Sequence, residues 1–190
     1  MNTKLIFDYK EFKKVIDSLE KNSIKYFVFG GFFIDAINKK ETRHEDLDII
    51  VTEDYKMKLI NFLKNLGYTN KKVGRLIKFT KKTDNKLYII GAMFMKEFKS
   101  YYKVRGNRSE EIISKDAFEK ENYMKSNKIN FRTMPFEWFL LYQKIEHFDS
   151  SKKNRHKTAI NAITPFCKKL KILKQKSIKR LKSDPKYNLK

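Results

Sequence analysis

The stretch FGGFFID, residues 29–35, decides how this 190-residue chain folds and what it can bind. It completes Ile24–Phe29, a short aromatic and β-branched run that predicts a buried strand. A strand that runs into Gly30 and Gly31 and then into a helix lets a phosphate approach bare backbone amides at the helix N-terminus. The helix dipole also favours negative charge there. We therefore predict a phosphate-binding turn at this glycine pair.

Two acids follow the glycine turn in the stretch TRHEDLDIIV, residues 42–51. If Leu47–Val51 begins a strand, Asp46 and Asp48 present their carboxylates on the same face, because residues two apart in a strand point the same way. Two like charges side by side are costly unless cations sit between them. Mg²⁺ suits this arrangement, since it takes a few carboxylates and completes its shell with water and substrate phosphates. The pair predicts a site for one or two magnesium ions.

The rest of the chain alternates strands and helices up to about residue 100. Residues 8–21 predict an amphipathic helix, and Arg75–Thr80 and Lys86–Met95 predict a strand pair around a turn. Beyond residue 100 the pattern is mostly helical. The order of elements predicts an α+β fold, with an open mixed β-sheet, flanking helices and a mostly helical C-terminal half.

Together, the two motifs resemble those of the DNA polymerase β-like nucleotidyltransferase superfamily. The nearest resemblance is to the transferases that inactivate aminoglycoside and lincosamide antibiotics, and to their uncharacterised relatives. Those proteins carry Gly-Gly-Trp-x-x-Asp and then Thr-Arg-x-His-x-Asp-x-Asp. Here Phe32 replaces the tryptophan, and the spacing between Arg43 and Asp46 is one residue shorter. The resemblance covers roughly residues 8–163, but its specific part is only Gly30–Asp48.

The resemblance implies a metal-dependent nucleotidyltransferase, which moves a nucleoside monophosphate from a nucleoside triphosphate to an acceptor hydroxyl and releases pyrophosphate. Gly30 and Gly31 would hold the β- and γ-phosphates, and the catalytic residues Asp46 and Asp48 would hold Mg²⁺. It also implies a nucleotidyltransferase core in residues 1–105 and a helical part packed on it in 106–165. The lysines and the near-helical spacing of apolar residues in 166–190 predict a third part, a basic helix or arm.

Three basic residues are expected to contact the nucleotide. Arg43 belongs to the Thr-Arg motif before the aspartate pair. Lys144 ends a stretch from Pro135 that resembles the family's Pro-x-x-x-Leu helix, and Lys157 lies in a segment similar to its Arg-x-Lys-Asp element. Each of these two lysines is explained about as well by an ordinary solvated surface, since the chain has 44 Lys and Arg.

Asp35 and His44 are expected to support the site. Asp35 lies one helical turn after the glycines and would fix the loop, through hydrogen bonds or by pairing with Arg43. His44 neighbours the aspartate pair, so it would either contact triphosphate or metal or be a partly exposed turn residue. The second interpretation of His44 is favoured.

The sequence departs from the superfamily in its third carboxylate, which lies on a later strand and helps deprotonate the incoming hydroxyl. The matching run LYIIGAMF, residues 87–94, contains no acid; Asp84 precedes it and Glu97 follows it. Three interpretations stay open. Glu97 or Glu45 supplies the function from an irregular position, or two carboxylates suffice for an acidic acceptor, or catalysis has decayed.

The balance of charge bears on the acceptor. The chain carries 44 Lys and Arg against 22 Asp and Glu, a formal net charge of +22. This favours polyanionic partners, although a lysine-rich solvated surface explains it about as well. The resemblance suggests a small hydroxylated acceptor. Because aminoglycosides are polycations, RNA or a neutral sugar-like compound suits the charge better. The alternative function is a catalytically decayed, nucleotidyltransferase-like protein that binds nucleic acid.

The expected setting is cytoplasmic. Cys167 is the single cysteine, so no disulfide framework forms, and no apolar run approaches the length of about 18 residues needed to span a membrane. Charge interrupts the N-terminus too early for a signal peptide. Because many antibiotic transferases share a site between subunits, the resemblance also allows a homodimer.

Overall fold

The structure is a computed structural model, and it describes residues 4–83, 85–105, 109–119, 123–149, 157–164 and 178–183. Two compact units divide the chain. The first comprises Met1–Glu97 and Tyr123–Thr133, and the second comprises Phe98–Asn122 and Met134–Lys190. The units interleave along the chain, which no linear pattern predicts. The functional division at residues 105 and 165 stays a prediction.

The elements alternate through most of the chain. The strands are β1 (Lys4–Leu5), β2 (Tyr26–Phe29), β3 (Leu47–Thr52), β4 (Thr69–Val73), β5 (Leu76–Lys82), β6 (Lys86–Glu97), β7 (Tyr101–Arg105), β8 (Ser109–Ser114), β9 (Tyr123–Ser126), β10 (Ile129–Arg132) and β11 (Ile178–Ser183). The helices are α1 (Tyr9–Lys21), α2 (Gly31–Asn38), α3 (Lys56–Asn65), α4 (Asp116–Glu119), α5 (Phe136–Asp149) and α6 (157–164).

A mixed sheet organises the first unit. Its strands pair in the order β2-β3-β6-β5-β4; β3 is parallel to β6 and the other neighbours are antiparallel. The short β1 also pairs with β6, in parallel, and β9 and β10 form a separate hairpin. This mixed sheet with flanking helices confirms the predicted α+β fold class.

One face of the sheet carries the core. Alternate residues of β3 and β6 point into it, and α1 covers it with the side chains whose spacing predicted the helix: Phe12, Val15, Ile16 and Leu19. Asp8 caps that helix by accepting a 2.9 Å hydrogen bond from the Glu11 backbone N–H. Burial of each large apolar side chain contributes about 1.5–3 kcal/mol. Asp48 lies on the opposite face of the same strands, which also carries the buried Ile50 and Met93.

The second unit has its own strands and core. Strand β8 pairs antiparallel with β7 and with β11. On α5, Trp138 is buried, and its indole Nε1–H donates to Glu111 Oε2 at 2.7 Å. No described helix is long and apolar enough to span a membrane.

The region beyond residue 100 differs in detail from the mostly helical pattern. Residues 101–132 contribute four short strands, which hydropathy alone does not separate from helix because each has only four to six residues. Of the basic helix or arm predicted at 166–190, the structure describes 178–183, which form β11. The remainder of that segment lies outside the described residues.

Candidate nucleotide and metal site

The glycine turn joins a buried strand to a helix, as predicted. β2 ends at Phe29, and Gly30 precedes α2 with φ of +75° and ψ of −144°, a conformation that only glycine adopts readily. No side chain caps this helix. The first amides of α2 therefore offer backbone N–H donors, together with the positive end of the helix dipole.

Asp48 lies in a slot between two glycines. It pairs with Phe29 of β2 on one side and with Gly91 of β6 on the other. A Cβ on Gly30 would lie 2.5 Å from Asp48 Oδ2, and a Cβ on Gly91 would lie 2.9 Å from Asp48 Oδ1. Neither position accepts a side chain unless the carboxylate moves. The two glycines therefore fix where the Asp48 carboxylate sits, next to the N-terminus of α2.

The ring of His44 packs against the backbone of the glycine turn. A Cβ on Gly31 would lie 2.3 Å from His44 Nδ1, so the ring presses on the bare backbone. The imidazole is 7% exposed and also contacts Phe32, with ring centroids 4.3 Å apart. Its Nε2 lies 2.7 Å from Asp35 Oδ2 and donates to that carboxylate. The favoured interpretation of His44 as a partly exposed turn residue is wrong. The ring is buried because it binds the Asp35 carboxylate and packs against Phe32.

Asp35 ties helix α2 to the segment before β3. Its side chain is 4% exposed and accepts hydrogen bonds from the Thr42 backbone N–H at 2.7 Å, the Thr42 hydroxyl at 2.9 Å and the Tyr9 hydroxyl at 3.0 Å. Burial, reinforced by the nearby Asp35 carboxylate, raises the pKa of Tyr9 well above its ordinary value, so Tyr9 stays a donor. Of the two predicted ways in which Asp35 fixes the loop, this geometry agrees with the hydrogen bonds.

The other predicted site residues fall in different places. Asp46 is half-buried and directly precedes β3, while Arg43 is exposed in the same segment. Lys157 is exposed on α6 of the second unit, and Lys144 lies on α5 with its side chain outside the described part. The structure thus brings the glycines, Asp35, His44 and Asp48 together. Nucleotide contacts of Lys144 and Lys157 stay predictions.

We call the glycine turn at Gly30 and Gly31, with Asp48 beside it, the corner. No acid of β6 reaches this corner. Glu97 lies six residues beyond Gly91, which corresponds to about 20 Å along a strand. Its carboxylate accepts hydrogen bonds from Lys25 Nζ at 3.2 and 3.3 Å. Glu97 is therefore placed too far away to act as the third carboxylate. Glu45 is exposed beside the aspartate pair, and Asp84 lies outside the described residues.

The donor set fits a metal ion that binds together with a nucleotide. Mg²⁺ in nucleotide sites takes one or two carboxylates, which Asp46 and Asp48 supply, and completes its shell with phosphates and water. Within the described residues, no group of three His, Cys, Asp or Glu side chains is arranged to hold a metal by itself.

Sequence reasoning missed Gly91, Tyr9 and Thr42 as parts of the site. The signal for Gly91 was present, since a glycine inside an apolar strand often marks the close approach of another group. Tyr9 gave no local signal, because its role depends on a long-range contact with Asp35. Thr42 belongs to the Thr-Arg motif, but that motif did not predict its hydrogen bonds to Asp35.

The mixed sheet, the glycine turn and Asp48 between its two glycines are arranged as expected for the DNA polymerase β-like nucleotidyltransferase superfamily, to which the match with a family model assigns the chain. The family model of the aminoglycoside-2″-adenylyltransferases matches residues 11–135, a stretch that includes the whole glycine and aspartate corner. The chain therefore belongs to that family.

Solved structures of similar fold agree with this assignment. The lincosamide antibiotic adenylyltransferase LnuA, with lincomycin bound, aligns with a TM-score of 0.65 at 16% identity over 84% of this chain and 98% of that chain. ANT(2″)-Ia in complex with adenylyl-2″-tobramycin aligns with a TM-score of 0.61 at 12% identity, over 86% and 92% of the two chains. At such identities the likeness shows the fold. No curated protein matches the chain.

Proposed function

We propose that this protein is a magnesium-dependent nucleotidyltransferase, which moves a nucleoside monophosphate from a nucleoside triphosphate to an acceptor hydroxyl. The observation that carries the proposal is the slot in which Gly30 and Gly91 hold the Asp48 carboxylate, next to the uncapped N-terminus of α2. A triphosphate on those amides lies directly beside a carboxylate that is fixed in place.

Each part of the corner has a role in this reaction. The backbone amides at Gly30 and Gly31 bind the β- and γ-phosphates. Asp46 and Asp48 would hold Mg²⁺, which would neutralise phosphate charge during the transfer. Asp35 and His44 hold the glycine turn and the segment before β3 in fixed positions relative to each other. Arg43, exposed in that segment, is suited to a phosphate oxygen.

The absence of an acid near Gly91 on β6 affects the proton of the acceptor hydroxyl. General-base catalysis contributes roughly 10²–10⁴-fold to a rate. With Gly91 opposite Asp48 and Glu97 bound to Lys25, that proton passes to one of the two site aspartates or to solvent. We expect a slower turnover than in a site with three carboxylates.

The acceptor class has two candidates. The relatives of known structure are bound to lincomycin and to adenylyl-2″-tobramycin, which favours a small hydroxylated molecule for this chain as well. The net charge of +22 favours an anionic acceptor such as RNA. The proposed setting is the cytoplasm, where nucleoside triphosphates and Mg²⁺ are available. A homodimer stays a prediction.

Calorimetric titration of Mg²⁺ with a non-hydrolysable triphosphate tests the site. Neutralising both aspartates, Asp46→Asn with Asp48→Asn, should abolish magnesium-dependent triphosphate binding. The matched control is Glu53→Gln with Asp54→Asn, which removes two exposed acids just beyond the far end of β3. If the Asp46 and Asp48 double variant binds magnesium-triphosphate like the wild type, the site assignment is wrong.

The lack of an acid near Gly91 on β6 favours a second candidate function, a decayed transferase that binds nucleic acid without turnover. Incubation with triphosphates labelled at the α-phosphate, with total RNA and with a panel of antibiotics, separates the two. Label on any acceptor supports the transferase. RNA binding that falls steeply with salt, with no label on either class, supports the decayed protein.

A further inference from the structure

A row of residues crosses the sheet on the face that carries Asp48. Asp48 of β3 pairs with Gly91 of β6, Gly91 pairs with Lys78 of β5, and Lys78 pairs with Lys71 of β4. Paired residues on neighbouring strands share a face of the sheet. Since Gly91 has no side chain, nothing in this row separates Asp48 from Lys78.

The spacing places the lysines within reach of the site. Neighbouring strands lie about 4.8 Å apart, so the Cα atoms of Asp48 and Lys78, two strands apart, are separated by about 10 Å. The flexible four-carbon stem of a lysine covers much of that distance. Lys78 can therefore bring its amine over Gly91 toward the aspartate, and Lys71 lies one strand further out.

In the described register, the two lysines of this row have no acid directly opposite them. Lys71 and Lys78 are both exposed, they lie directly opposite each other, and neither makes an ion pair in the described part of the chain. Like charges directly opposite on a sheet are destabilising. Residues 69–82 contain six Lys and Arg and no acid. An anion bound across the two ammonium groups would relieve this repulsion.

The two lysines and the glycine turn lie on opposite sides of Asp48. The triphosphate is proposed to bind at Gly30 and Gly31. These glycines directly follow the end of β2, the strand that pairs with β3 on one side of Asp48. Lys78 and Lys71 lie on the other side, across Gly91. Phosphoryl transfer needs the attacking and leaving oxygens roughly in line, on opposite sides of the phosphorus. The lysines therefore face the acceptor rather than the leaving pyrophosphate.

We propose that Lys78 and Lys71 dock successive phosphates of a single-stranded RNA acceptor, whose terminal hydroxyl then reaches Asp48. The proposal rests on the proposed nucleotidyl transfer and names its acceptor. The hydroxyl oxygen forms a bond to the α-phosphorus, the bond from the α-phosphorus to the bridging oxygen breaks, and pyrophosphate leaves with that oxygen. The hydroxyl proton passes to a site carboxylate or to solvent.

The charge of the row selects against the other acceptors. A polycationic aminoglycoside would be repelled by two unpaired ammonium groups, and a neutral sugar-like compound would gain nothing from them. A single strand of RNA presents successive phosphates, which cations on adjacent β-strands can follow along a groove.

The test measures binding of a short single-stranded RNA, labelled with fluorescein at its 5′ end, by anisotropy at several salt concentrations without triphosphate. The test variant is Lys71→Gln with Lys78→Gln. The control is Lys14→Gln with Lys72→Gln, which removes the same charge. Lys72 is adjacent to Lys71 but pairs with the buried Ile77, so it faces the other side of the sheet.

The test variant should lose about tenfold or more in RNA affinity, and the slope of log K against log salt should fall by about 1.4, since each phosphate contact on a single strand contributes about 0.7. The control should lose less than half of that slope. Binding of the magnesium-triphosphate analogue should be unchanged in both variants.

Two results would overturn the proposal. Equal loss of RNA affinity in test and control variants would show general attraction to a basic surface. Loss of triphosphate affinity in the test variant would place the row at the nucleotide. Failure of the proposed function itself is read separately, from the Asp46 and Asp48 double variant, because the RNA measurement contains no triphosphate.

Discussion

The carboxylate of Asp48 occupies the space that a side chain on Gly91 would need, with Oδ1 only 2.9 Å from where a Cβ would lie. The two residues are direct partners in the parallel pairing of β3 with β6. A third acid at position 91 is therefore sterically incompatible with the present position of Asp48. The same contact opens a gap in the sheet surface between Asp48 and the lysines of the next strands.

Gly91→Ala should weaken binding of the magnesium-triphosphate analogue by about tenfold, equivalent to about 1.4 kcal/mol. The new methyl group displaces the carboxylate, while the strand itself gains about 0.5–1 kcal/mol because alanine has less backbone entropy to lose. Calorimetric titration and urea unfolding measure the two effects.

Gly74→Ala is the control for that change. Gly74 has a φ of +60° in the turn between β4 and β5, so alanine should cost about 1 kcal/mol of stability and leave triphosphate affinity unchanged. Unchanged affinity in the Gly91 variant as well would show that the slot does not position Asp48 for the nucleotide.

Ile89→Asp should raise the rate of nucleotidyl transfer, by up to about 10²-fold, because general-base catalysis contributes on that scale. Ile89 lies two residues before Gly91 on the same face of β6, and it is half-buried. Single-turnover measurements with a labelled triphosphate report the rate. Leu87 lies on the same face of β6, two residues further from Gly91, the partner of Asp48. Leu87→Asp should therefore leave the rate unchanged. An equal gain there would contradict a specific role for position 89.

Asp35→Asn should lower the free energy of unfolding by about 2–3 kcal/mol, since the amide cannot accept all of the hydrogen bonds from Thr42, Tyr9 and His44 and leaves buried donors unpaired. Urea unfolding followed by circular dichroism measures the loss. Asp17→Asn is the control: it breaks an exposed ion pair with Lys13 and should change stability by less than about 0.5 kcal/mol. Equal losses in the two variants would contradict the central role of Asp35.

Asp8 should make stability depend on pH in the acid range. Burial by itself would raise the pKa of its carboxyl, but hydrogen bonds from Lys86 and the Glu11 backbone N–H outweigh it and hold the pKa below the usual 3.8. A lowered folded-state pKa means that the stabilisation is fully present above about 3.8 and is lost as pH falls through the folded value.

Asp8→Asn tests this dependence, because asparagine still caps α1 but does not titrate. Urea unfolding at pH 6, 4 and 3 should show the wild type losing more stability on acidification than the variant. Parallel losses in the two proteins would contradict a contribution from Asp8.

Glu111→Ala should destabilise the second unit by about 1–3 kcal/mol, because the buried Trp138 indole N–H loses its acceptor. Trp138 is the single tryptophan of the chain, so its emission follows this unit during urea unfolding. Glu111→Gln should recover most of the loss, as its amide oxygen still accepts. Lack of recovery would indicate that the charge of Glu111, rather than this hydrogen bond, is what matters.

Local pattern was enough to find the elements of the site. The run of apolar residues before Gly30 and the glycine pair predicted a strand, a turn and a helix, and β2 and α2 have that arrangement. The alternation after Asp46 predicted a strand at Leu47–Val51, and β3 spans Leu47–Thr52. These signals are short-ranged, since they depend on conformational freedom of glycine and on the two-residue period of a strand.

Local pattern was not enough for the interior of the site. His44 looks like a turn residue in a polar segment, yet it is buried because Asp35, nine residues earlier, accepts its Nε2–H. Residues 101–132 look mostly helical because their strands are short, and what stabilises each strand is a partner elsewhere in the chain.

The sequence by itself therefore determined the family, the α+β class and the glycine and aspartate motifs, because those follow from residue types at fixed short spacings. Only the tertiary structure decided that Gly91 lies opposite Asp48 and that Lys78 and Lys71 continue the same row. Strand register is set by pairing between distant segments and by burial of one whole face, and a shift of one residue would turn every side chain to the other side.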